Sequence, residues 1–140
     1  EFESPVRYGK SEILYRGKDT AILSVGSMTE VCEQVYKEMK NRGEAPTFVN
    51  ARFVKPLDTE LLDELAKDHK LFVTVENVKN GGFGEHVAAY MEACHPEVRV
   101  LPLAIWNRFV QHGEIASLRA KIGLSAPEIL NAIEEYEEQE

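Results

Sequence analysis

The chain has 140 residues, 44% of them hydrophobic, and a formal net charge of −8. That length fits one domain able to bury a proper core, and the acidic balance argues against a nucleic-acid or anionic-membrane partner. Without a signal peptide or an apolar run of about 18 residues, the expected setting is soluble and cytoplasmic. Cys32 and Cys94 lie far apart with neither CxxC nor zinc spacing, and read as buried free thiols. The chain starts Glu1-Phe2-Glu3-Ser4-Pro5, with no Met, as if excised from a longer multidomain enzyme. We expect residues 1–140 to form a single domain with an irregular lead-in over 1–9.

In chain order, Ser11 to Arg16 is expected as a short edge strand, closed by Gly17-Lys18-Asp19. Ala21-Ile22-Leu23-Ser24-Val25 is an apolar run suited to a strand buried on both faces. Gly26 breaks it, and Ser27 or Thr29 can cap a helix to about Asn41. Val31, Cys32, Val35 and Met39 mark that helix's buried face. Thr47 to Ala51 reads as the next strand. Asp58 is the expected N-cap of a helix with Leu61, Leu62 and Leu65 on its apolar stripe. Leu71 to Val75 is a third buried strand, 85–94 a helix, and Val98 to Leu103 a fourth strand. A long connection, 104–113, leads to helices near 114–121 and 126–138. Ser125 and Glu128 form a capping-box pattern before the last one. The expected core includes Ile22, Val25, Val35, Val49, Leu61, Val73, Val75 and Leu101. Strands alternating with helices predict an α/β fold: three α/β/α layers around a mostly parallel sheet of about five strands.

Parallel sheets present their sites at the carboxyl ends of the strands. There the sequence offers Arg52, Glu76, Asn77 and, further on, Arg108 and His112. Glu76 is followed by Asn77-Val78-Lys79-Asn80-Gly81-Gly82-Phe83-Gly84, a glycine-rich turn entering a helix. Gly81 and Gly82 permit positive φ and close approach of an anion or another backbone. The spacing is neither G-x-G-x-x-G nor a P-loop. Glu76 is read chiefly as an acceptor for the N–H groups of this turn. A Ser27–His112–Glu76 triad can be written on paper, but Ser27 lacks a nucleophile elbow. His69, His86, His95 and His112 have no metal-ligand spacing. His69 and His95 are expected to end helices, and His86 to be exposed. Trp106 and Phe109, beside His112, are either folded onto the core or buried by a partner. The sequence singles out no catalytic, cofactor-binding or metal-ligating residue of its own.

Asn50 through Asp58 resembles the NARFVKPLD stretch of the 1-deoxy-D-xylulose-5-phosphate synthase family over nine consecutive positions. Thr74-Val75-Glu76-Asn77-Val78 with Gly81 to Gly84 is similar to the family's strand–glycine segment. Phe109 with His112-Gly113 is similar to its aromatic–HG loop, and Ile122-Gly123-Leu124 to the residues before its last helix. The resemblance covers about residues 10–138 and implies a transketolase C-terminal-domain-like unit. It further implies a parent that uses thiamine diphosphate and Mg²⁺, held by other domains, to join pyruvate and glyceraldehyde 3-phosphate. This domain would bind no cofactor itself and would serve assembly and the active-site wall. Arg52, Glu76, Asn77, Gly81, Gly82, Trp106, Arg108, Phe109 and His112 are its candidate wall or interface residues. The implied partners are the other domains of the parent and a second subunit of a homodimer. Trp106-Asn107 stands where the family has Pro-Asp, so the acid is lost. Alternatives are the equivalent domain of a transketolase or of a 2-oxo acid dehydrogenase β subunit, or a stand-alone interaction or anion-binding module.

Overall fold

The computed structural model describes residues 11–25, 28–51, 57–77, 82–105 and 126–138. In chain order these form β1 (Glu12–Tyr15), β2 (Asp19–Ser24), α1 (Thr29–Asn41), β3 (Thr47–Asn50), α2 (Thr59–Ala66), β4 (His69–Asn77), α3 (Phe83–Cys94), β5 (Arg99–Ile105) and α4 (Ala126–Glu138). The strands make one five-stranded sheet in the order β1-β3-β2-β4-β5. β3, β2, β4 and β5 run parallel, and β1 is antiparallel to β3 at the edge.

The pleat sends alternate residues to opposite faces. Ile22, Phe48, Val73 and Val75 pack with Cys32, Val35 and Met39 of α1 and Ile129, Leu130 and Ile133 of α4. Ala21, Leu23, Val49 and Phe72 pack with Leu62 and Leu65 of α2 and Phe83, Val87 and Met91 of α3. The unbroken apolar runs of β2 and β4 therefore serve two cores at once. Each large side chain buried there contributes about 1.5–3 kcal/mol before chain entropy is counted. This is the expected three-layer α/β/α architecture.

Asp58 caps α2 as expected: one carboxylate oxygen accepts from Leu61 N at 3.3 Å. The other accepts from Ser11 N at 2.8 Å and so docks the start of β1. Several details depart from expectation. Thr29 is the first residue of α1, not its cap, and its hydroxyl lies 3.1 Å from Ser24 Oγ. Met28 occupies the cap position without a side-chain bond. Ser27, Ser125 and the helix expected near 114–121 lie outside the described residues. Cys32 is buried, but Cys94 is exposed, because the last turn of α3 presents it to solvent. Leu61 and Leu101 are half-buried, packing against the two cores from the side. Ala104 and Ile105 continue β5, in register with Glu76 and Asn77.

His69 opens β4 instead of ending a helix, and it is buried. Its Nδ1 lies 2.8 Å from Leu65 O and 2.7 Å from Asp68 Oδ1. Two acceptors assign the ring hydrogen to Nδ1. Nε2 then accepts from the Thr47 hydroxyl at 2.7 Å, while Thr47 Oγ1 accepts from Gly17 N at 2.8 Å. The helix-end carbonyl does hold this histidine, but as a core residue.

Candidate functional site

β2 is followed by α1 on one face of the sheet, and β4 by α3 on the other. β2 and β4 are neighbours, so their carboxyl ends flank the point where the chain's winding changes side. Open α/β sheets bind their ligands and partners at that crevice. Ser24 ends β2 and Glu76-Asn77 ends β4. Ser24 is fully buried, and its Oγ donates to Val49 O at 3.2 Å.

Glu76 is 4% exposed. Its Oε1 accepts from Phe83 N at 3.0 Å and its Oε2 from Gly84 N at 2.8 Å. A carboxylate here meets the positive end of α3 and accepts from two of the amides a helix start leaves unpaired. Gly82 makes the turn possible with φ of 110°, a conformation costly for any side chain. Gly84 lets α3 press on the sheet. A Cβ at that position would meet Thr74 Oγ1 at 2.8 Å and Pro102 Cβ at 2.9 Å. Thr74 Oγ1 is buried with no hydrogen-bond partner among the described residues. The helix start is thus already occupied by the chain's own carboxylate, which removes the Phe83 and Gly84 amides from use by an external anion.

The reading of Glu76 as acceptor for the turn matches this geometry. Asn77 shares the strand end and Gly82 the turn. Arg52, Gly81, Trp106, Arg108, Phe109 and His112 lie outside the described residues, as do Ser27 and Val78. His86 is exposed, and its N–H donates to Gly82 O at 2.9 Å. Among the described residues no group of three His, Cys, Asp or Glu could hold a metal ion.

Two polar features escape sequence reading. Asp63 Oδ1 accepts from Tyr90 Oη at 2.7 Å and lies 2.7 Å from His95 Nε2, tying α2 to α3. The bonds from His95 and Tyr90 hold the Asp63 carboxyl below its ordinary range. The bond to Asp63, with burial second, pushes the Tyr90 phenol up to about 12. A cavity of about 490 Å³ lies at the amino end of the sheet, lined by Asp19, Thr20, Lys70, Leu71, Glu97 and Arg99. It is remote from the β2–β4 crevice, and a parallel sheet gives it no catalytic precedence.

The family profile "Transketolase, C-terminal domain" matches residues 9–129. The 1-deoxy-D-xylulose-5-phosphate synthase of Lachnoclostridium phytofermentans is 40% identical over 135 residues, covering 95% of this chain and 22% of that protein. The synthase of Azoarcus sp. is 44% identical over 129 residues, covering 90% and 20%. The chain therefore spans about a fifth of the length of these curated relatives. Among solved structures, one described as "Split gene transketolase, inactive beta4 tetramer" superposes with a TM-score of 0.76 at 31% identity, covering 93% of this chain and 43% of that one. Transketolase from Campylobacter jejuni shares the fold, with a TM-score of 0.56 at 18% identity. Among the described residues no helix is long and apolar enough to cross a membrane.

Proposed function

Because the chain belongs to the transketolase C-terminal domain family, we propose that it is the C-terminal domain of a thiamine-diphosphate-dependent 1-deoxy-D-xylulose-5-phosphate synthase of the cytoplasm. The parent reaction joins pyruvate and glyceraldehyde 3-phosphate, releasing carbon dioxide and forming 1-deoxyxylulose 5-phosphate, a precursor for isoprenoids, thiamine and pyridoxal. The observation that carries this reading is the 40% identity to a synthase across 95% of the chain. The nine-residue match from Asn50 to Asp58 points the same way.

The domain's own part is mechanical. Glu76 fixes the start of α3 at the β2–β4 crevice, and β3 and β5 end at the same edge. Arg52, just past β3, and Trp106, Arg108, Phe109 and His112, just past β5, are assigned by chain position to the wall or to an interface with the remainder of the parent and its second subunit. Thiamine diphosphate supplies the carbanion chemistry when bound, and Mg²⁺ holds its diphosphate. Both are assigned to other domains of the parent, as the family resemblance implies. The chain alone is then inactive, and the related split-gene transketolase described as inactive supports that division.

The test supplies the missing part. A synthase lacking its C-terminal domain is assayed for glyceraldehyde-3-phosphate-dependent release of carbon dioxide from pyruvate, with and without the 140-residue chain. Recovery of activity only in the mixture is the expected result. Activity of the pure chain would overturn the reading. So would a mixture that recovers ketol transfer with a transketolase core but not the synthase reaction.

A further inference from the structure

We infer that the cavity at the amino end of the sheet binds a small zwitterion with excess positive charge, a dibasic amino acid such as lysine. The inference rests on the cavity's own groups, independently of the synthase reading. The cavity measures about 490 Å³, and small-molecule sites occupy about 300–1,000 Å³.

Its floor is a row across three neighbouring strands. Thr20 of β2 pairs with Leu71 of β4, and Leu71 with Arg99 of β5. Thr20 is only 7% exposed. The pleat puts its side chain on the α1/α4 side of β2, with Ile22. Among the described residues its hydroxyl has no hydrogen-bond partner. A buried hydroxyl at the wall of a cavity is costly unless something in the cavity bonds it. The register shift between Asp19 and Thr20 skips Lys70 in the pairing, so that Lys70 and Leu71 both line the cavity.

Charge then defines the occupant. The carboxylates of Asp19, Glu44, Glu97 and Glu137 line the cavity against two cations, Lys70 and Arg99. Glu97 Oε2 lies 3.9 Å from His95 Nδ1, and the Arg99 guanidinium lies 5.5 Å from the centre of the Tyr136 ring. Glu137 is also engaged within the chain. Left without an ion pair among the described residues are Asp19, Glu44 and Lys70. A ligand with two ammonium groups and one carboxylate matches that set. Its carboxylate accepts from Lys70 and from the Thr20 hydroxyl, and its ammonium groups donate to Asp19 and Glu44. Helix dipoles favour the same occupant. Glu44 lies just past the end of α1, and Glu137 in the last turn of α4, which has no basic residue. A carboxylate at the negative end of a helix gains from a cation beside it. A bare metal ion fits less well, because among the described residues no three ligating side chains converge.

Titration of the 140-residue chain with lysine, followed by amide NMR shifts at fixed ionic strength, tests this. The expected result is saturable binding, half-complete at about 1 mM as suits a ligand this small, with shifts gathered at Thr20, Leu71 and Arg99. Norleucine lacks the side-chain ammonium and cadaverine the carboxylate, so each should bind at least about fivefold more weakly. Glu44→Gln should weaken lysine binding about three- to tenfold. Lys70→Met should weaken lysine by a similar factor but leave cadaverine no weaker, since it removes only the partner of the carboxylate. Both substitutions are at exposed positions and should leave the melting of the chain unchanged. Absence of saturation by about 50 mM lysine overturns the inference. Cadaverine binding as tightly as lysine would mean an acidic surface only, and overturns it too. So would a lysine affinity unmoved by both Glu44→Gln and Lys70→Met, or shifts that spare the starts of β2, β4 and β5.

Discussion

At the carboxyl end of the sheet, the Glu76 carboxylate reaches amides seven and eight residues further along the chain. At the amino end, His69 and Thr47 join segments 22 residues apart, Thr47 binds Gly17 across 30, and Arg16 binds Asp68 across 52. Both networks sit at strand ends and hold buried polar groups. The first is a local staple that orients one helix start at the crevice. The second is a long-range tie that fastens the β1–β2 turn, β3, β4 and the end of α2 together. It is also saturated at His69, where both ring nitrogens are engaged, while Thr74 Oγ1 beneath the staple has no partner among the described residues. The amino end is therefore built for cohesion, and the carboxyl end for positioning.

Substitutions at the two ends can break that contrast. Gly17→Ala should be the most damaging. A Cβ there would collide with Ala45 O and come within 2.6 Å of Pro46 O. Backbone must move, disturbing the 2.8 Å bond from Lys18 N to Ala45 O and the bond to Thr47. A loss of at least about 3 kcal/mol in urea unfolding is expected. Glu76→Ala should cost about 2–4 kcal/mol by leaving two amides without their acceptor, and Glu76→Gln about 1–2 kcal/mol, since one acceptor remains. Thr47→Val should cost about 1–3 kcal/mol by orphaning Gly17 N–H and His69 Nε2. If the ends are separate devices, Thr47→Val and Glu76→Gln should add in a double mutant to within about 0.5 kcal/mol. Coupling well above that would show one network instead of two. Glu76→Gln should also weaken rescue of a truncated synthase more than an equally destabilising Thr47→Val does. Equal weakening would remove the positioning role.

The same difference in reach explains what the sequence disclosed. The described strands and helices were legible because each is a local pattern: the apolar runs of β2 and β4, and the spacing of Cys32, Val35 and Met39. Glu76 was legible as an acceptor because its donors follow it directly. The edge position of β1 followed from its short, mixed sequence. His69 was misread, because the partners that make it a core residue include Thr47 on another strand. Cys94 was misread because helix-end exposure depends on what packs alongside. The Asp63–Tyr90–His95 tie spans two helices, and no spacing rule signals it. Trp106, Phe109 and His112 were prominent by composition, a signal that names anchors without stating what they grip.

The smallest expected effect concerns the core shared by both ends, and it appears as a pH dependence. Burial pushes the Cys32 thiol up from 9.0 to about 12. The folded state thus keeps a proton that the unfolded chain releases near pH 9. Below that pH the two states bind the same number of protons, and Cys32 adds no pH dependence. As pH rises from 9.0 toward about 12, the unfolded state gains by ionising, and stability falls. At pH 10 the loss relative to pH 8 should be about 1 kcal/mol from this group. The raised phenol of Tyr90 acts in the same direction but begins from 10.0, so the window from pH 9 to pH 10 belongs mainly to the thiol. Urea unfolding of the chain and of Cys32→Ala at pH 8, 9 and 10 checks it. The substitution should lower stability at pH 8, by opening a small cavity, yet flatten the fall toward pH 10. Parallel falls in the two proteins would mean that Cys32 does not hold its proton against the solvent. Exposed Cys94 supplies the internal control: at pH 8 an alkylating reagent should modify one thiol per folded chain and two per unfolded chain.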